Sequence, residues 1–105
     1  MTGVELLQAA IEKLEALLRT CTPGEWVEIG GDLVAESEGH VVDPRQIGFL
    51  YSPVDDDLVV TMRRMVGPSL RTLRKVRTAL ACEVIREEEA ADALELADAI
   101  LGGAR

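Results

Sequence analysis

The sequence predicts an α+β fold, a single domain in which helices enclose a small antiparallel β meander. Two observations carry the prediction. Leucine-rich segments toward the two ends place apolar residues at steps of three and four, the helical period. Between them, short apolar runs are punctuated by Pro23-Gly24, Gly30-Gly31 and Ser37-Glu38-Gly39, which are turn signals at strand spacing. The length, 105 residues, bounds the result to one modest core, and three aromatics (Trp26, Phe49, Tyr51) make that core aliphatic.

Thr2 and Glu5 form a T-x-x-E capping box, so the first helix spans 1–20. Val4, Leu7, Ile11, Leu14 and Leu18 share its apolar face, and Glu5, Glu12 and Glu15 lie off it. Pro23 stops the helix near Thr20, because its ring disfavours helical geometry at Thr22. Thr22-Pro23-Gly24-Glu25 then reads as a type II turn, in which glycine supplies the positive torsion.

The meander occupies 25–51. Glu25–Ile29 and Asp32–Glu36 flank a two-residue Gly30-Gly31 hairpin signal. The register expected places Val27, Ile29, Leu33 and Ala35 on one face and Trp26 on the other. A short third strand at His40–Val42 ends before Asp43-Pro44, and Ile47–Tyr51 supplies a fourth.

A second helix, capped by Ser52 or Asp55, covers 53–66, with Asp55, Asp56 and Asp57 in its first turn where the helix dipole favours anions. Gly67-Pro68 breaks it. From Pro68 to Leu101 there is no further glycine or proline, which predicts one long helix over 68–101. At 1.5 Å per residue it would run roughly 50 Å, beyond what a domain of this size covers with its own core.

Charge is unevenly distributed along this chain of net charge −8. Residues 58–82 hold Arg63, Arg64, Arg71, Arg74, Lys75 and Arg77 and no acid, whereas Glu83–Asp98 is acidic except for Arg86. A bipolar helix of this kind is satisfied by antiparallel pairing with its own copy, about an axis near 80–84, with Lys75 beside Glu89 and Arg77 beside Glu87. The expected interaction residues are Leu73, Val76, Arg77, Leu80, Val84, Glu87, Ala91 and Leu94. The rival reading is intramolecular, with Glu5, Glu12 and Glu15 of the first helix neutralising the basic block.

Chemistry-bearing patterns are sparse. His40, Asp43 and the two cysteines, Cys21 and Cys82, have no spacing that implies a nucleophile with its base, so no catalytic residues are expected. The cysteines lack metal-ligand spacing, and Asp55-Asp56-Asp57 lacks the alternating ligands of a calcium loop, so no metal is expected. Gly30-Gly31 precedes no lysine at phosphate-loop spacing, so no cofactor is expected either. Pro23, Gly24 and Trp26 are assigned structural roles, Trp26 as the aromatic anchor after the turn. The N-terminus shows no basic-then-apolar leader and no run reaches a membrane span, which together predict a cytoplasmic protein.

Thr22, Pro23, Gly24 and Trp26, preceded by Leu14, Leu17 and Leu18, make a leucine-rich helix running into T-P-G-x-W. Downstream come Asp56, Val59, Val60, Arg64, Pro68 and Leu70. This pattern resembles a loose group of short phage and actinobacterial proteins that includes the Ead-like phage proteins. The resemblance covers about a third of the positions; Gly67 and the Asp43–Ser52 stretch depart from it. It implies a helix–strands–helices outline and a phage or prophage origin, and no particular reaction.

The function expected is non-enzymatic protein interaction, as a homodimer or with a host protein. The alternative is a nucleic-acid-associated regulator using the basic block Arg63–Arg77, or an acidic nucleic-acid mimic that occupies a host protein. The net charge and the missing base-reading side chains favour the first.

Overall fold

The computed structural model describes residues 1–21, 24–29, 32–37, 40–48 and 53–102. In order, the elements are α1 (Gly3–Thr20), β1 (Glu25–Ile29), β2 (Asp32–Ser37), β3 (His40–Gly48), α2 (Pro53–Ala81), a 3-10 turn (Glu87–Ala90) and α3 (Ala91–Ile100). The arrangement is α+β with helix predominant. It divides into two compact units, Met1–Leu18 with Gly67–Arg105, and Arg19–Val66, where the sequence predicts one domain.

The first unit is helical. The capping box forms as expected: Thr2 Oγ1 accepts the Glu5 N–H at 3.1 Å, and Glu5 Oε1 accepts the Thr2 N–H at 3.4 Å. Leu7, Ala10 and Ile11 of α1 are buried with Leu70, Leu73 and Leu80 of α2 and Ala90 and Ala97 beyond it. Leu7, Ile11 and Leu73 are the largest fully buried side chains. Val4, Leu14 and Leu18, expected on the same face, are half-buried.

The expected 34-residue helix over 68–101 is not formed. The chain leaves helical geometry after Ala81 and re-enters it at Glu87. Between them, Val84 N–H donates to Ala79 C=O at 2.9 Å and Glu83 N–H to Leu80 C=O at 3.2 Å. These are the crossed bonds of a Schellman end, with Glu83 in the left-handed position at φ 57 where glycine is usual. A non-glycine residue there costs on the order of 1–2 kcal/mol. Two effects outweigh it. Val84 and Ile85 are β-branched and weak helix formers. Turning back also buries Ala90 and Ala97 in the unit's core, which a straight helix would leave in water.

Gly67-Pro68 does not break α2, which runs from Pro53 through Pro68 to Ala81. The division between the two units falls between Val66 and Gly67, so the Gly-Pro signal marks a unit boundary inside a continuous helix. Burial of Val60 on one side and of Leu70 and Leu73 on the other offsets the amide that Pro68 lacks. Because α2 begins at Pro53, Asp55 lies within its first turn and is not its cap; Ser52 is outside the described residues.

The second unit holds a three-stranded antiparallel sheet in the order β1-β2-β3. Gly24 has φ 96, as the third position of a type II turn requires, while Thr22 and Pro23 lie outside the described residues. The strand pairing corrects the expected register. Ile29 is opposite Asp32, Val27 opposite Val34 and Trp26 opposite Ala35. Cross-strand partners share a face, so Trp26 lies on the face of the fully buried Ala35, not across the sheet from it. A two-residue loop pairs odd positions of β1 with even positions of β2, and the expected face ignored that parity.

β3 is also longer than expected and continues through Asp43-Pro44. Ala35 pairs with Asp43 and Leu33 with Gly48, with register shifts on both sides of Ala35. Proline is tolerated there because β3 is an edge strand with a bulge. The expected fourth strand overlaps β3 at Ile47 and Gly48, and its remainder lies outside the described residues.

Candidate interaction site

Leu58, Met62 and Met65 stand four and three residues apart on the first half of α2, which places them on one helical face. They are 59%, 58% and 55% exposed. Singly exposed apolar side chains are ordinary, but three successive positions of one stripe form a contiguous patch. The opposite side of the same stretch contains Val60, which is buried, and Arg63, which turns to the sheet. The exposed side chain of Asp57 precedes the stripe, and Arg64 falls between Met62 and Met65 in sequence but off their face.

The basic block is largely engaged by its own chain. The Arg63 guanidinium lies 5.5 Å from the centroid of the half-buried Trp26 ring, within cation–π range, and its Nη2 donates to the Gly24 carbonyl at 3.4 Å. Arg64 pairs with Glu25 at 3.2 Å. Arg74 pairs with Glu15 at 3.4 Å. Arg77 donates to the Gln8 side-chain oxygen, and Gln8 Nε2 in turn donates to Glu12 at 2.9 Å. The intramolecular reading of the block therefore describes Arg74 and Arg77. Arg71 and Lys75 are exposed without an ion-pair partner among the described residues.

The expected interaction residues do not form one face. Leu73 and Leu80 belong to the unit's own core. Arg77 faces α1 through Gln8, Val84 is 74% exposed in the turn, and Ala91 is exposed at the start of α3. Val76 lines a groove of about 300 Å³ with Thr72 and Leu73 on one side and Ala90, Ala93 and Leu96 on the other, with the carboxylates of Glu89 and Asp92 at its rim. Leu94 is half-buried on α3. Residues from the basic stretch (Thr72, Leu73, Val76) and the acidic one (Glu89, Asp92) thus line one groove within a single chain.

Glu87 has a role the sequence did not disclose. Its Oε1 accepts the Gly3 N–H at 2.8 Å, an ion at the first turn of α1 where free amides and the helix dipole favour a carboxylate. A Cβ on Gly3 would come within 2.6 Å of that oxygen and 3.1 Å of Leu80 Cδ2, so any side chain there would displace the Glu87 carboxylate from its bond. Gly3 directly after a capping threonine was the available signal. The small-residue spacing Ala90, Ala93, Ala97 was the signal for α3 packing onto α2.

Among the described residues no group of three or more His, Cys, Asp or Glu side chains could hold a metal ion. Neither Cys21, half-buried after α1, nor Cys82, exposed in the turn, is in a disulfide. The His40 and Asp43 side chains and those of Asp55 and Asp56 lie outside what the structure describes. No described helix is long and apolar enough to cross a membrane. No family model, curated protein or solved structure matches the chain.

Proposed function

We propose that this is a non-enzymatic protein-interaction protein that self-associates through the first half of α2. The observation that carries the reading is the exposed Leu58–Met62–Met65 stripe. Methionine adapts its shape readily, which suits a face that packs against a copy of itself. Antiparallel pairing about Met62 sets Leu58 of each copy toward Met65 of the other. The contact is isologous, with the same stripe on both copies. Covering six half-exposed side chains supplies roughly 6–9 kcal/mol across the pair, and an association cost of about 4 kcal/mol leaves at most about 5, which implies a weak, sub-millimolar dimer.

This is preferred to the expected pairing through residues 73–94 because Leu73 and Leu80 serve the fold. The phage or prophage accessory role rests on the T-P-G-x-W resemblance alone. The contacts of Arg63, Arg64, Arg74 and Arg77 weigh against a phosphate-tracking face. The test is the triple variant Leu58→Gln/Met62→Gln/Met65→Gln, compared with wild type by light scattering and circular dichroism. The expected outcome is unchanged helicity with loss of the wild-type dimer; equal masses for the two would overturn the assignment.

A further inference from the structure

We propose that the turn at 82–86 is a hinge through which two copies exchange their C-terminal segments, so that residues 87–100 of each pack onto α2 of the other. This concerns the helical unit alone and uses no residue of the exposed stripe, though it shares with the preceding reading that the partner is a second copy.

Two observations converge on it. The turn has a non-glycine residue in the left-handed region, Glu83 at φ 57, and from Ser69 to Leu101 the sequence contains neither glycine nor proline. Straightening it therefore releases an unfavourable torsion and leaves every residue an amide to donate along a continuous helix. The crossed bonds at Val84 and Glu83 are replaced by ordinary i to i−4 bonds.

Second, the contacts that hold α3 in place are available in trans. Thr72, Leu73 and Val76 present the same groove to Ala90, Ala93 and Leu96 whichever copy supplies them. Exchange of an identical element preserves its interface, so the balance is decided at the hinge. With the hinge open, the two helices run antiparallel, and Arg71–Arg77 of one copy lies along the acidic 87–98 segment of the other.

The test separates this exchange from stripe-mediated pairing. Chains bearing Leu58→Gln/Met62→Gln/Met65→Gln are prepared with natural and with heavy nitrogen, mixed, unfolded, refolded together at high concentration and treated with a zero-length amine–carboxylate crosslinker. Crosslinks from Lys75 to Glu89 or Asp92 are then read by mass. Exchange predicts mixed-isotope crosslinks in a dimeric fraction, whether or not the stripe also associates. Crosslinks exclusively within one isotope overturn it. Glu83→Gly, which suits the left-handed torsion of the closed turn, should lower the mixed fraction about tenfold, since glycine is the preferred residue there; an unchanged fraction would remove the hinge from the account.

Discussion

Gly3 and Glu87 are 84 positions apart and define the N-terminal end of α1 between them. Gly3→Ala should destabilise the protein by about 0.5–2 kcal/mol, because the added methyl displaces the Glu87 carboxylate from the Gly3 amide. Glu87→Ala should cost about 0.5–2 kcal/mol, the usual worth of a side-chain cap. The two losses share one contact, so urea unfolding of the double variant should show less than their sum. Trp26 is half-buried beneath Arg63, not fully enclosed. Trp26→Ala is therefore expected to cost about 2–3 kcal/mol, at or below the lower end of the range for buried aromatic truncation. Denaturant midpoints of Trp26→Ala and wild type measure it.

At the scale of elements, the helix through Gly67-Pro68 and the turn at Glu83 each reverse what local sequence suggests, and each makes a prediction. Pro68 lies in the interior of α2, where it leaves the Arg64 carbonyl without its helical donor. Pro68→Ala should thus stabilise by about 1–3 kcal/mol. Were a helix to begin at Pro68, as the Gly-Pro pair suggests, the gain would be absent. Glu83→Gly should raise thermal stability, by about 1 kcal/mol, by removing left-handed strain. Calorimetry checks both.

The elements legible in sequence were those set by local chemistry. The capping box, the end of α1 and the first hairpin depend on neighbours in the chain. The turn at 82–86 was not legible because no breaker residue makes it; the burial of Ala90 and Ala97 against distant residues does. The continuity of α2 was hidden for the converse reason, since tertiary burial on both sides of Pro68 overrides a strong local signal. The candidate site followed the same rule. Leu58, Met62 and Met65 are plain in the sequence, but without knowing that α2 is one helix and which side it buries, their exposure could not be inferred.

For the whole molecule, Arg74 and Arg77 are engaged by α1 of their own chain, and the stripe on the first half of α2 is the surface proposed to pair two closed chains. That proposal is tested most directly by the solution masses of Glu83→Gly, in which the hinge is held closed, and of Glu83→Gly/Met62→Glu. Light scattering at about 1 mM, where a sub-millimolar dimer is populated, should give a mass approaching twice that of the chain for the first and the single-chain mass for the second. A Glu83→Gly protein that remains monomeric there, or a double variant that remains dimeric, would contradict the account.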